Sequence, residues 1–204
     1  MRKYIGLVFA LCLLCLSGCR GAKLSVADEQ MARGEYYDAS KTYRKVYNKL
    51  KAREQRAERG VVAFRMAECH RHLNQSARAA AAYQNAIRYG YPDSMAILYL
   101  AQMQHADGKY AAAVKSYEEF LEKSPKSEIA RSGLSGARKA AEMKKNRTRY
   151  VVKNAKLFNS RRADFSPMFN GDILYFTTTN EKINGTNRSE ITGMKRSDIW
   201  MARK

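Results

Sequence analysis

Proline and cysteine are both scarce in this sequence. None of its three prolines occurs between Ser25 and Tyr91, so proline breaks no helix in that stretch. Three of the four cysteines lie within the first 19 residues, which leaves Cys69 alone in the rest of the chain. Since one thiol cannot form an internal disulfide, packing of side chains must hold the fold together.

Acidic residues are also few. The 204 residues include 19 Asp and Glu against 38 Lys and Arg, which gives a net charge of +19. This excess indicates a partner with an acidic surface, such as nucleic acid, anionic lipid, cell-wall polymer or an acidic protein.

Recognisable catalytic motifs are missing. The sequence has no Gly-rich phosphate loop, no Gly-x-Ser-x-Gly motif and no carboxylate pair in a catalytic context. The segment "AECHRHL" places Glu68, Cys69 and His72 close together on a helix, but a structural zinc site takes four ligands and only His105 occurs elsewhere. We therefore expect no enzymatic activity, no metal and no cofactor, with Cys69 buried in a repeat helix.

The N-terminus indicates export. Arg2 and Lys3 precede an apolar run from Ile5 to Leu16. This run is too short to span a bilayer comfortably and fits the apolar core of a secretory signal. Because an exported protein is separated from the nucleic acids of the cell, nucleic acid is not favoured as the partner of the excess positive charge.

The end of the apolar run, "LSGC", resembles the lipobox of bacterial lipoproteins. The resemblance implies a signal peptide at residues 1–18, cleavage before Cys19, and acyl chains on the thiol and the freed amine of Cys19. More than one acyl chain gives stable anchoring, whereas a single chain is marginal. Residues 19–25 are then a lipidated tether. The alternatives are an uncleaved transmembrane anchor and a plain signal peptide.

One pattern occurs three times between residues 26 and 145. In each copy a turn residue is followed by Ala five residues later and by Tyr four residues after that. The members are Gly34, Ala39 and Tyr43, then Asn74, Ala79 and Tyr83, then Gly108, Ala113 and Tyr117. The alanines are 40 and 34 residues apart, and periods of this size indicate stacked helical hairpins.

The pattern resembles the tetratricopeptide repeat over most of residues 26–145. The resemblance implies a mainly α fold, a tetratricopeptide-like helical-hairpin solenoid. In it, the alanines allow close approach of two helices and the tyrosines fill the space beside the next hairpin. The turn residues supply left-handed backbone. Ala27, Ala67 and Ala101 occupy the family's small position in the first helices. The alternative is an irregular helical bundle.

Two features depart from the family pattern. The first interval is six residues longer than the second, at "NKLKAREQRAERG", which predicts either extra turns on a charged helix or a longer loop. Asn74 stands where the family has its turn glycine, so the second hairpin departs from the family pattern at its turn. After Pro125 a further helix is expected to cap the apolar edge of the third hairpin.

The C-terminal part of the chain has a different character. Residues 146–162 are basic and aperiodic, which predicts a linker. Within residues 163–204, the strings "DFSP", "LYFT" and "DIW" resemble the first blade of a PD40-type, WD40-like β-propeller and imply a short antiparallel β segment. Because a propeller needs several blades, we expect a fragment of a longer protein, with Tyr175, Phe176 and Trp200 left uncovered. The alternative is a β-hairpin docked on the helices.

Lipobox, helical repeats and a propeller-like blade, in this order, resemble a group of Bacteroidetes envelope lipoproteins. In these an OmpA-type peptidoglycan-binding domain follows the propeller, and one branch is the PorE-type component of the type IX secretion system. The resemblance implies a lipid-anchored protein of the outer membrane that faces the periplasm. Its expected partners are secretion-system or outer-membrane proteins, with peptidoglycan as the ligand of a missing C-terminal region.

Two functions are compatible with these features. The first is a non-catalytic adaptor whose repeats bind a partner protein in their groove. The second is a module that positions a cell-wall or carbohydrate-associated enzyme whose catalytic domain is missing. The candidate groove residues, by hairpin register, are Phe64, Glu68, Arg71, Gln102 and His105.

Overall fold

The computed structural model forms two compact units. One contains the helices up to Asn146 and the other contains a small β-sheet; each is described by itself. The signal peptide and the lipidation site predicted at Cys19 lie outside the described residues. Those residues are 24–143, 146, 149–156, 158–180, 182 and 187–203.

Seven helices make up the described part of the first unit, and each packs against the next one along the chain. This arrangement confirms the prediction of a mainly helical repeat solenoid. The helices are α1 (24–32), α2 (Tyr36–Lys49), α3 (Arg56–His72), α4 (Ser76–Arg88), α5 (Met95–Ala106), α6 (Tyr110–Lys123) and α7 (Glu128–Met143).

The first described helix includes the last two residues of the segment predicted as a tether. Leu24 and Ser25 belong to α1. Leu24 packs against the cluster that contains Ala27, Ala39 and Tyr43, and burial of its side chain favours helix at this point.

The three hairpin turns share one backbone geometry. Gly34, Asn74 and Gly108 have φ angles of 77°, 53° and 73°. In the middle turn, the N–H of Asn74 donates to the carbonyl of Arg71 at 3.0 Å and the N–H of Gln75 donates to that of His70 at 2.9 Å. Both other turns form the same pair of bonds, which is the Schellman motif. Asparagine tolerates left-handed backbone, so the second hairpin closes in the same way as its neighbours.

The longer first interval results from a longer helix. The connections 50–55 and 89–94 have the same length, whereas α3 has 17 residues and α5 has 12, which accounts for five of the six extra residues. Helix α2, with 14 residues against 13 in α4, adds the sixth. Of the two alternatives, extra helical turns are confirmed and a longer loop is wrong. The added residues lie at the N-terminus of α3, where Arg56 and Arg59 project toward neighbouring helix ends.

The added turn of α3 satisfies carbonyl groups at the ends of α2 and α4. The Arg59 guanidinium donates to the carbonyl of Leu50 at 2.5 Å and lies 4.1 Å from the ring centroid of Tyr47 and 5.0 Å from that of Tyr89. Arg56 donates to the carbonyl of Arg88. The last carbonyls of a helix lack partners within the helix and carry partial negative charge, so both arginines stabilise these ends.

We expect Arg59→Ala to lower the free energy of unfolding of the helical unit. The loss should be about 2 kcal/mol, because hydrogen bonds from a charged donor to two backbone carbonyls disappear together with the contacts to both tyrosine rings. Urea unfolding followed by far-UV circular dichroism measures the change. Arg53→Ala, at an exposed position in the preceding connection, is the control. Equal losses for the two variants would contradict the stabilising role of Arg59.

Small and aromatic residues at the repeat positions form the core. Six alanines and three tyrosines at these positions are 2% exposed or less: Ala27, Ala39, Ala67, Ala79, Ala101, Ala113, Tyr43, Tyr83 and Tyr117. Helix α7 covers the third hairpin with Ala130 and Ala137, which join the cluster of Tyr117 and Phe120. Gly133 lies against the Tyr117 ring, where a Cβ atom would stand 2.5 Å from Cζ. Helix α7 therefore occupies the position expected of a capping helix.

The second unit contains a three-stranded antiparallel sheet, which confirms the predicted β segment. Its strands, in the spatial order β1-β2-β3, are β1 (Asp164–Asn170), β2 (Ile173–Thr178) and β3 (Asp198–Arg203). Gly171 forms the turn between β1 and β2 with a φ angle of 56°. Residues 149–156 and 158–162, in the predicted linker, form no helix or strand.

The "DFSP" string forms a bulge inside β1. Pairing with β2 shifts between Phe165 and Met168, and Ser166 has a φ angle of 53°. Pro167 lies in the same irregular stretch of an edge strand, where a missing N–H costs no ladder hydrogen bond.

The two faces of the sheet differ in exposure at the central strand β2. Phe176 is 8% exposed, so the expectation that it is uncovered is wrong. It lies on the central strand and pairs with Trp200 of β3, and strands flank it on both sides. The opposite face is apolar and exposed. Its exposed side chains are Phe165, Met168, Ile199 and Met201.

Candidate functional site

The first helices of the three hairpins carry a set of charged and aromatic side chains at repeated positions. Asp28 of α1 and Glu68 of α3 are one repeat interval apart, and so are Arg65 of α3 and Tyr99 of α5. Equivalent positions in stacked repeats lie side by side. We call this surface the α1/α3/α5 face; it consists of Asp28, Arg65, Glu68, Arg71, Tyr99 and Gln102.

Asp28 joins three helices at one end of this face. Nη1 of Arg65 donates to both carboxylate oxygens of Asp28 at 2.7 Å, and the hydroxyl of Tyr43 donates to Oδ1 at 2.5 Å. Burial and the neighbouring Asp28 carboxylate raise the pKa of Tyr43, which therefore remains a neutral donor. The Asp28 and Arg65 side chains are 41% and 38% exposed, so water and a partner protein can both reach this ion pair.

Glu68 occupies the position of Asp28 in the next repeat and is more buried. Its carboxylate accepts hydrogen bonds from the hydroxyl of Tyr83 and from Nε and Nη2 of Arg71, the last two at 3.1 and 2.6 Å. Its side chain is only 12% exposed. Burial raises the pKa of Glu68, but the hydrogen bonds from Arg71 and Tyr83 outweigh burial and hold it below the usual value. Glu68 is therefore a charged carboxylate at neutral pH.

Arg71 links this pair to the third repeat. Its guanidinium carbon lies 5.0 Å from the ring centroid of Tyr99 on α5, within the range of a cation–π contact. Tyr99 also lies 5.8 Å from the ring of Tyr83. The face therefore presents alternating charges along α1 and α3 and an aromatic ring at α5.

The five candidate groove residues fall into separate places. Glu68 and Arg71 contact each other, and Gln102 is partly exposed on α5, three residues after Tyr99. Phe64 packs between hairpins, stacked on Tyr91 at 4.2 Å and edge-on to Tyr83 at 5.7 Å.

His105 packs among residues of α6 and α7. Its ring packs edge-on against Tyr110 and Tyr117 at 5.6 and 6.3 Å. A Cβ atom at Gly136 of α7 would stand 3.2 Å from the His105 ring. Its surroundings are therefore those of a packing residue.

Three residues of the face were missed by the sequence interpretation. Asp28, Arg65 and Tyr99 have no motif of their own, and register alone marks them. Asp28 precedes Glu68 by 40 residues and Tyr99 follows Arg65 by 34, the same two intervals that separate the repeat alanines. Extending the alignment from the alanines to the polar positions would have found all three.

The segment around Cys69 is structural in character. Cys69 is fully buried, and burial together with the nearby Glu68 charge raises the pKa of its thiol to about 12. His72 stacks on Tyr36 with 4.2 Å between the ring centroids. Within the described residues, no three His, Cys, Asp or Glu side chains come together in a way that suits a metal ion.

Comparison with known proteins agrees with this geometry. The tetratricopeptide repeat family matches residues 62–94 and 95–127, which include most of α3, all of α4, and α5 with α6. The helical unit is built of tetratricopeptide-like repeats. The hairpin of α1 and α2 lies outside the matched residues and carries the same pattern of turn residue, Ala and Tyr at Gly34, Ala39 and Tyr43. No curated protein matches the chain.

Solved tetratricopeptide structures resemble the helical unit. The first such domain of Spaghetti (RPAP3) bound to the HSP90 peptide SRMEEVD is 20% identical, covers 60% of this chain and 93% of its own, and has a TM-score of 0.50. The first domain of human RPAP3 is 21% identical, with 62% and 95% coverage and a TM-score of 0.49. The Sgt2 domain of Aspergillus fumigatus is 19% identical, with 67% and 87% coverage and a TM-score of 0.49.

The described helices differ from membrane spans in composition and length. Among the parts of the chain that the structure describes, none combines the length and the apolar character needed to cross a bilayer.

Proposed function

We propose that this protein is a non-catalytic adaptor that binds a partner protein on the α1/α3/α5 face while a lipid on Cys19 holds it at the membrane. Tetratricopeptide-like repeats make the helical unit a protein–protein interaction module. The observation that carries the proposal is the row of ion pairs and Tyr99 along the first helices, which places exposed charges and an aromatic ring on one surface.

The chemistry of the face favours a peptide segment with charges of both signs. The Asp28 and Arg65 side chains are more than a third exposed, so each can replace its contact with the other by a contact with a charged group of the bound protein. The Tyr99 ring offers an apolar contact between these charges and Gln102. The related fold of Spaghetti is bound to a peptide, which supports a peptide as the occupant here.

Membrane attachment and cellular location rest on the N-terminal sequence. The lipobox-like "LSGC" supports acylation of Cys19, and the order of segments supports a place in the periplasm at the outer membrane. We propose envelope or type IX secretion components as partners on the basis of that resemblance, with peptidoglycan as a ligand of an OmpA-type region.

The exposed face of the sheet supports the proposal of a propeller-like second unit. Blades of a propeller pack against each other through their sheet faces. Phe165, Met168, Ile199 and Met201 together form a face that a neighbouring blade would cover.

Site-specific photo-crosslinking tests the adaptor proposal. A photoreactive side chain at Gln102 should capture an envelope protein in intact cells, because this position lies beside Tyr99 on the proposed face. The same side chain at Lys115, an exposed position on α6, is the control. Capture of an envelope protein from Gln102 and not from Lys115 supports the proposal. Equal capture from both would reject it, and capture of a cell-wall hydrolase would favour the enzyme-positioning alternative.

Replacement of Cys19 tests the anchor. We expect Cys19→Ala to abolish incorporation of radioactive palmitate and to leave the precursor uncut, since the acyl acceptor is removed. Cys69→Ala is the matched control because that thiol is buried. Palmitate labelling that persists in Cys19→Ala would disprove acylation at this residue.

A further inference from the structure

A second surface of the helical unit has the features of a ligand site. A cleft of about 490 Å³ lies between the second helices of the first two hairpins, and residues of α3 form its floor. We call it the α2/α4 cleft. It shares no residue with the α1/α3/α5 face.

The cleft is strongly positive. Lys41, Arg44 and Arg78 line it, and none of its lining residues is acidic. Arg44 is exposed and has no hydrogen-bond or ion-pair partner among the residues that the structure describes. Within the described parts of the chain, the Arg78 guanidinium donates one hydrogen bond, to the side-chain oxygen of Gln75 at 3.2 Å. Nζ of Lys41 lies 3.6 Å from Oδ1 of Asp38, a residue that does not line the cleft.

The electrostatic field of Arg44 and Arg78 reaches the floor of the cleft. His70 donates from Nδ1 to Oε1 of Gln75 at 2.9 Å. Burial lowers the pKa of His70, and the positive charges of Arg78 and Arg44 lower it further. His70 is therefore neutral at pH 7 and adds no charge of its own. The same Arg44 and Arg78 charges that act on His70 would attract an anion bound above it.

The shape of the cleft fits an extended chain better than a small ion. Its α2 wall consists of residues spaced three or four apart from Tyr37 to Asn48, which form one stripe about 16 Å long at 1.5 Å per residue. An extended peptide of about five residues has this length. The small side chains of Ala81 and Ala82 leave room along α4, and Asn48 and Asn85 offer amide groups to a peptide backbone.

We propose that the α2/α4 cleft binds a short acidic segment of a partner protein. Carboxylates of the segment contact Arg44 and Arg78, and its backbone contacts the two asparagines. Guanidinium groups favour this pairing because their donors match a carboxylate in geometry. A partner that also occupies the α1/α3/α5 face would then hold the repeats from two sides.

Binding of a fluorescein-labelled peptide Gly-Glu-Asp-Glu-Asp-Gly to the purified full chain tests this site. Fluorescence anisotropy should show saturable binding, and the uncharged counterpart Gly-Gln-Asn-Gln-Asn-Gly should bind at least tenfold more weakly. Arg44→Glu combined with Arg78→Glu should weaken binding of the acidic peptide at least tenfold. The control combines Lys45→Glu with Lys115→Glu, which changes the net charge equally outside the cleft. It should weaken binding no more than twofold.

Three results would overturn the proposal. Equal weakening by both double variants would mean that only the net charge matters. Equal binding of the charged and uncharged peptides would remove the acidic segment as the ligand. The cleft would be assigned to lipid if the protein bound vesicles containing anionic phospholipid but not the acidic peptide, and if the cleft variant lost this vesicle binding. Far-UV spectra and melting temperatures of both variants must match those of the unchanged protein, and Arg44→Gln with Arg78→Gln repeats the test if the charge reversal unfolds the chain.

Discussion

Ala79→Trp should lower the free energy of unfolding of the helical unit by roughly 3 kcal/mol or more. Ala79 is fully buried where α3 and α4 cross, in one cluster with Ala67 and Tyr83. Overpacking by even a few methylene groups costs about 1–3 kcal/mol, and an indole ring adds much more volume. The two helices must then separate or their side chains must leave preferred rotamers.

The control for this prediction is Ala77→Trp. Ala77 lies two residues earlier on the same helix and is exposed. Ala77→Trp therefore adds the same side chain without disturbing a buried contact. Thermal and urea unfolding should show a large loss for Ala79→Trp and a change within about 0.5 kcal/mol for Ala77→Trp, as is usual at surface sites. Similar stability of the two variants would show that the helices do not cross at Ala79.

Glu68→Ala should lower the free energy of unfolding by about 2–3 kcal/mol. The change leaves the buried Tyr83 hydroxyl and the Arg71 guanidinium without their shared acceptor, and an unsatisfied buried group costs about 1–3 kcal/mol. Glu118→Ala is the control. It breaks an ion pair with Arg138 of nearly equal length, 2.7 Å, but with side chains that are 46% and 60% exposed. Exposed pairs contribute less than about 1 kcal/mol, so similar losses would contradict the role of burial.

The same network predicts a pH dependence. The pKa of Glu68 is lower in the folded chain than in the unfolded chain, so its contribution to stability is complete above the unfolded value of about 4.3 and is lost as the pH falls through the folded value. The stability difference between the unchanged protein and Glu68→Gln should therefore be constant from pH 7 to pH 5.5 and should shrink below about pH 4. Urea unfolding at these pH values measures it. A difference that grows on acidification would show that the folded pKa is raised.

Local spacing predicted the repeat architecture because its causes are local. A buried Ala followed by Tyr one turn later has a single packing solution in a helical hairpin, and the pattern repeats at Ala39, Ala79 and Ala113. The extra length of α3 was predicted only as one of two alternatives. The choice depends on Arg56 and Arg59 reaching carbonyls of α4 and α2, and such contacts between elements are not visible in the spacing.

The candidate site was less predictable, since its residues meet across repeats. Arg65 forms an ion pair with Asp28, which lies 37 residues earlier in the chain, and no sequence motif predicts that pair. Phe64 fits the register of the face, yet its ring stacks on Tyr91 just before Pro92, because aromatic area gains more from burial than from exposure. Register assigns positions to a surface, and side-chain chemistry then decides which of them remain on it.

The lengthened α3 also determines how the helical unit comes apart. Repeat arrays open segment by segment, with the weakest interface as the boundary. Arg59 of α3 binds the carbonyl of Leu50 at the end of the first hairpin and contacts the ring of Tyr89 at the end of the second. Helix α5 begins at Met95 and has no equivalent N-terminal turn. The first two hairpins are therefore fastened into one cooperative block, and amide hydrogens of α2, α3 and α4 should exchange together.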